Sequence, residues 1–204
     1  MTTSIKNLIT ATLTFVVLTS TTIVAKADNN NNTVTVLSDV KKVNKVTVSG
    51  NVEVILVQSE DESVKVYDNY YAKNALVQQK NGELRISSYE KEKLTVVVYV
   101  TNLSAITASD NASVRTHGAF SALDLEVNLK DNATANLNTK TISLSSDVKD
   151  NSSLNLTGST IDYFSVVNSL SKVNMNTFVA ENSNIRSQNL TAATVKAIDF
   201  SITE

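Results

Sequence analysis

The amino-acid sequence predicts an all-β protein that ends in a parallel β-helix, a solenoid with a repeat near 20 residues, behind a strand-rich N-terminal cap. Three observations predict it. The composition has no Pro, no Trp and only four Gly, and it is dominated by Val, Thr, Asn, Ser and Leu. Val and Thr suit a pleated surface, and Asn, Asp and Ser suit turns. Apolar and polar residues alternate with the period of a strand over most of the chain. Finally, KDNATANLNT from Lys130 returns 19 residues later as KDNSSLNLTG from Lys149, and recurrence of whole units at that period marks stacked coils.

Residues 1–27 place Lys6 ahead of an apolar, Thr-rich run and close on Ala25-Lys26-Ala27, the layout of a secretory signal with a small-x-small cleavage site. The competing reading is an N-terminal membrane anchor; dilution by Thr and Ser and the Ala-x-Ala ending favour the signal. Residues 28–33, DNNNNT, form a polar tract expected to be a short disordered leader. One domain is expected over 34–204, with a strand-rich part at 34–104 and stacked repeats at 105–204. Without the leader peptide, 16 basic residues face 20 acidic ones, a net charge of −4. That balance argues against nucleic acid and against an anionic membrane surface as partners, and no stable membrane insertion is expected after cleavage. The chain has no Cys and one His, so disulfides and Cys/His zinc sites are excluded.

In the first part, KVTVSG and NVEVILVQ alternate around Gly50-Asn51, a turn signal, and SVKVYD follows an acidic loop at Glu60-Asp61-Glu62. Asn69–Gln79 is the one stretch with room for a helical turn. Asn81-Gly82 is a second turn dipeptide, and it leads into a strand. Lys93–Thr101 is the most apolar run, which predicts a central strand or one buried on both faces.

From about Ala105 the repeats align on Asn111, Asn132, Asn151, Leu170 and Leu190, at steps of 21, 19, 19 and 20 residues. Each copy carries two apolar alternations about a polar corner: Ala112 and Val114 with Leu123, Leu125, Val127 and Leu129, then Ala133, Ala135 and Leu137 with Ile142 and Leu144, then Leu154 and Leu156 with Ile161 and Tyr163 or Phe164. One copy cannot bury that face alone. Stacking copies about 4.8 Å apart closes a continuous interior and pairs the backbone between coils. The intervening Ser113, Arg115, Asp124, Glu126 and Asn136 then face solvent. Asp-Asn recurs because each coil needs a corner, and both residues tolerate left-handed backbone angles. An antiparallel sandwich is the competing fold, but it calls for turn signals every 8–12 residues or so.

VTVSGNVEVILVQSEDESVKVYD, VQQKNGELRIS, LTVVVYVTNLSAITASDNASV and the repeats after them together resemble the putative auto-transporter adhesin head GIN domain family of exported bacterial proteins. The resemblance covers most of the mature chain. It implies a right-handed parallel β-helix and an adhesin-like role. The chain departs from the family pattern at its corners, which read Asp-Asn-Ala, Asp-Asn-Ser or Asn-Ser-Leu where Ser-Gly is usual, and in lacking a Gly-rich ending.

Candidate sites are few. Asp110, Asp131 and Asp150 share one repeat position, and stacked carboxylates would attract a hard cation such as calcium. A solvated row of turn residues is the expectation, because no Gly-x-Asp calcium repeat accompanies them. His117 stands beside Gly118 with no Ser and acid at a telling spacing, so a surface loop is expected rather than a catalytic triad. Arg85, Arg115 and Arg186 are scattered. Tyr70, Tyr71, Tyr89 and Tyr99 are expected to pack at the cap, with a carbohydrate-stacking platform as the alternative. No cofactor, metal or catalytic residue is expected. The reading is an exported, non-enzymatic envelope protein, placed in the periplasm, at the cell surface or outside the cell, offering a binding or scaffolding surface to envelope glycans or surface proteins. A carbohydrate-active enzyme on a β-helix and a purely structural envelope component are the alternatives.

Overall fold

A computed structural model describes residues 34–67, 75–168 and 170–188. The signal and leader readings, the site candidates Tyr70 and Tyr71, and the last repeat anchored on Leu190 lie outside them. The described residues form thirteen strands in one mixed sheet, strongly curled so that one face of nearly every strand is enclosed, and contain no helix. The strands are β1 (Val34–Leu37), β2 (Lys45–Gly50), β3 (Val52–Gln58), β4 (Ser63–Tyr67), β5 (Ala75–Lys80), β6 (Glu83–Ser88) and β7 (Leu94–Val100). They continue with β8 (Ala105–Ala108), β9 (Ser113–Thr116), β10 (Phe120–Leu129), β11 (Thr134–Val148), β12 (Ser153–Asn168) and β13 (Lys172–Gln188). The all-β class is as expected. Within Asn69–Gln79, the segment from Ala75 on is strand rather than helix, because Val77 is drawn into the core opposite Ile86.

Parallel pairing dominates from β8 onward, and its register has the period of the sequence repeat. Phe120 lies opposite Thr139, and Thr134 opposite Ser153, each 19 residues on. Ser113 lies opposite Thr134, 21 residues on. A register shift between Asn155 and Thr157 makes room for the extra residue of the next copy. Three pairs are antiparallel: β1 with β4, β4 with β7, and β5 with β6.

The first part of the chain does not stack in chain order. β2 and β3 sit between two other strand pairs, with β6 and β7 on one side and β8 and β9 on the other. Lys45 is thus opposite both Glu83 and Ala105. The two turn dipeptides do different things. Asn81 and Gly82 have φ of 51° and 79° and join β5 to β6 as a two-residue hairpin, the φ pattern of a type I′ turn. Gly50-Asn51 joins β2 to β3, which do not pair with each other; it is a corner that carries the chain from one face to the next. A β-carbon on Gly50 would lie 2.0 Å from the Ser88 carbonyl oxygen, so only glycine allows β2 and β6 to approach there.

The apolar run of β7 is central, between β3 and β4, but it alternates. Val96, Val98 and Val100 are buried, whereas Thr95, Val97 and Tyr99 are half-buried on the outer face. In the repeats, alternation breaks phase once per sequence repeat. Leu123-Asp124, Ile142-Ser143 and Ile161-Asp162 are successive residues neither of which is buried, with buried positions resuming on both sides. These are second corners, where the bend consumes one residue. Leu123, Ile142 and Ile161, expected inside, are therefore 65%, 49% and 40% exposed. The inward places beside them go to Thr139, Thr141, Thr160 and Ser146. Buried hydroxyls need partners, and most have them: Thr141 Oγ1 donates to Thr160 Oγ1 at 2.9 Å, and Ser146 Oγ lies 2.9 Å from Tyr163 Oη and 2.8 Å from Ser165 Oγ. Thr139 Oγ1 has none.

Candidate binding surface

The Asp-Asn corners form a column. Residues Ser109–Ala112, Lys130–Ala133 and Lys149–Ser152 are four-residue turns, closed by backbone bonds of 3.1, 3.2 and 3.2 Å. The second residue of each, Asp110, Asp131 or Asp150, has φ between 57° and 61°. Asp, and not the Asn after it, takes the positive φ, as a type II′ turn requires at that position.

The carboxylates join successive corners. Gly50 N–H donates to Asp110 Oδ2 at 3.0 Å, Asp110 N–H to Asp131 Oδ2 at 3.2 Å, and Asp131 N–H to Asp150 Oδ2 at 3.1 Å. Each acid thus holds the backbone of the neighbouring turn. Backbone bonds run the other way, from Asn132 N–H to Asp110 O and from Asn151 N–H to Asp131 O, both 2.9 Å. The row was expected to be solvated turn residues, with a cation ladder as the alternative; its carboxylates are built around backbone donors. Among the described residues, no group of three or more His, Asp and Glu side chains is gathered closely enough to hold a metal ion.

The other sequence candidates are dispersed. His117 is exposed in the loop after β9, with only its backbone N–H engaged, to Leu56 O at 2.8 Å. Arg115 pairs with Glu53 at 3.1 Å, and Arg186 lies over the Phe164 ring at 5.5 Å. Arg85 pairs with Glu83 at 2.7 Å. That bond, with a second from Thr47 Oγ1 at 2.6 Å, holds the Glu83 carboxyl below its ordinary value. Tyr99 lies on the outer face of β7, with Lys65 Nζ 4.8 Å from the ring centre. Tyr89 is 76% exposed, so the expected cap packing does not hold for it.

Concavities lie beside the first strands. One, of about 660 Å³, is lined by Lys41, Lys42, Val43 and Asn44 together with the acidic loop Glu60–Glu62. Another, of about 570 Å³, lies on the corner column, between the Tyr89–Lys93 connection and Gly50, Asn51, Asp110 and Asn111. Asn51 Nδ2 props that connection by donating to Glu90 O at 3.2 Å and Lys91 O at 2.9 Å. Sequence reasoning missed this second groove. Its two walls are neighbours only because β2 and β3 stack between β6–β7 and β8–β9.

The fold is shared with solved bacterial proteins. A putative adhesin from Bacteroides fragilis superposes with a TM-score of 0.69 at 13% identity, over 79% of this chain and 78% of that one. A putative adhesin from Parabacteroides merdae gives 0.62 at 13% identity, over 79% and 80%. A putative lipid binding protein from Parabacteroides distasonis gives 0.58 at 12% identity, over 78% and 79%. At such identities the likeness shows the fold alone. No curated protein matches the chain. Residues 42–199 match the family model described as putative auto-transporter adhesin, head GIN domain, and the chain belongs to that family.

Proposed function

We propose that this protein is an exported, non-enzymatic component of the bacterial envelope, and that its coils wind as a right-handed parallel β-helix to present a rigid binding or scaffolding surface. Crossovers between parallel strands are right-handed in about 98% of cases, which supports that hand. Family membership supports an adhesin-like role at or beyond the envelope. One observation carries the reading: the in-register stacking repeats outward polar groups from coil to coil. Asn155 Nδ2 donates to Asn136 Oδ1 at 2.8 Å, and Asn182 Nδ2 to Asp162 Oδ1 at 2.9 Å. Amides held this way, at a strand spacing of about 4.8 Å, suit an extended partner met along its length rather than a small molecule enclosed in a pocket. Envelope glycans and surface proteins are the partner classes.

The test presents the purified protein to surfaces coated with envelope polysaccharide or surface protein, and assays the same polysaccharide for new reducing ends. Retention without product release is the expected result. Release of reducing ends would make the protein a carbohydrate-active enzyme. Neither outcome, with an envelope defect when the gene is deleted, would leave a structural role only.

A further inference from the structure

We infer that the groove beside Tyr89 is a saccharide-binding subsite for an uncharged sugar, neutral or N-acetylated; this rests on the binding-surface reading above and gives it a location and a ligand class. Tyr89 follows the buried Ser88 at the end of β6, yet the residue is 76% exposed. One edge of the ring borders Gly50, where an added β-carbon would sit 3.3 Å from Tyr89 Cδ1. The ring is thus located at the corner while most of it stays open. A sugar ring has an apolar C–H face and a rim of hydroxyls, and a located aromatic face is the surface that the apolar side needs.

Polar groups surround that face. Asp110 Oδ2 accepts from Gly50 N–H at 3.0 Å and lies 3.5 Å from Tyr89 Oη. The carboxylate is oriented before any ligand arrives, and its second oxygen remains an acceptor for sugar hydroxyls. Asn111 Oδ1 takes the Asn132 amide at 3.5 Å, so its own amide N–H groups remain donors. Lys91 and Lys93 are exposed on the far wall and add donors, and their charges are matched by Glu90 and Asp110. A balanced groove does not favour phosphate or another anion. Strand addition by a peptide is closed off as well, because β6 is already paired on both sides, by β2 and by β5. The volume, about 570 Å³, falls in the range of roughly 300–1,000 Å³ usual for small-ligand clefts.

The experiment screens the protein, with Tyr89→Ala, Tyr89→Phe and the distant Ile142→Ala, on an array of neutral and N-acetylated oligosaccharides. Titration calorimetry then follows on any hit. Expected is binding that weakens about tenfold or more in Tyr89→Ala, about 1.4 kcal/mol, and is kept in Tyr89→Phe and Ile142→Ala. Saccharide binding undiminished in Tyr89→Ala would overturn the subsite and leave the binding-surface reading standing. No saccharide binding, with retention on protein-coated surfaces, would overturn the ligand class alone. No binding to either would sink both. Because Tyr89 is exposed, circular dichroism should find the Ala variant folded; loss of fold would itself contradict the open, unpacked ring on which the inference stands.

Discussion

Asp131→Ala strips the corner column of the carboxylate that receives the Asp110 amide and leaves an ordinary β-carbon at φ of 61°. A hydrogen bond to a charged group is worth about 1.5–3 kcal/mol, and with the Asp131 side chain 43% exposed the lower end applies. The left-handed backbone adds about 1 kcal/mol once the local side-chain bonding is gone. The expected loss is about 2.5 kcal/mol. Asp131→Gly loses the same bond and escapes the backbone strain, at an unfolded-chain entropy cost of roughly 0.5–1 kcal/mol; it should cost about 2–2.5 kcal/mol. Asp131→Asn keeps an acceptor oxygen and the φ tolerance, and should cost about 0.5 kcal/mol or less. Urea unfolding separates Asp131→Asn from the other two variants. Native-state hydrogen exchange localises the effect, since the Asp110 amide should exchange about tenfold faster or more in Asp131→Ala. An unchanged Asp110 exchange rate there would refute the ladder. If repulsion along the acid row dominated instead, Asp131→Asn would be more stable than the native chain, and added salt would close the gap.

Three further outcomes follow from the same geometry. Gly158→Ala should destabilise by about 3 kcal/mol or more, because its β-carbon would meet the Thr139 carbonyl oxygen at 2.1 Å; Gly118→Ala, with open space around it, should cost only about 1 kcal/mol for its positive φ. Thermal unfolding of the two variants separates crowding from backbone strain. Leu137→Ala should cost about 2–5 kcal/mol, whereas Ile142→Ala, outside at a second corner, should stay within about 0.5 kcal/mol; equal losses would contradict the phase break. Glu83 is held below its ordinary value, first by the Arg85 bond and then by Thr47. A depressed carboxyl contributes stability that is complete above about pH 4.5 and lost as pH falls through the folded value. Glu83→Gln should therefore flatten the acid limb of the stability curve and leave its neutral shape alone.

Much of this protein was legible in its residues. Strand alternation, the turn dipeptides and the Asp-Asn recurrence follow from local stereochemistry, and the sheet obeys them: the 19- and 21-residue steps reappear as parallel registers, and Asp110, Asp131 and Asp150 do turn corners. Other features arise from contacts between segments remote in sequence, and no local pattern encodes those. Whether Gly50-Asn51 makes a hairpin or a corner depends on whether β3 pairs with β2 or with β7 and β9. That choice also brings Tyr89 to Asp110 and Gly50 to Asp110, 21 and 60 residues apart, and so builds the groove. The exposure of Leu123, Ile142 and Ile161 had no signature either, because hydrophobicity marks what favours burial, while the break that spends one residue per repeat is set by how the stacked strands curl against one another. Side-chain chemistry thus determined the strands and their corners, and the order of stacking decided which side chains meet.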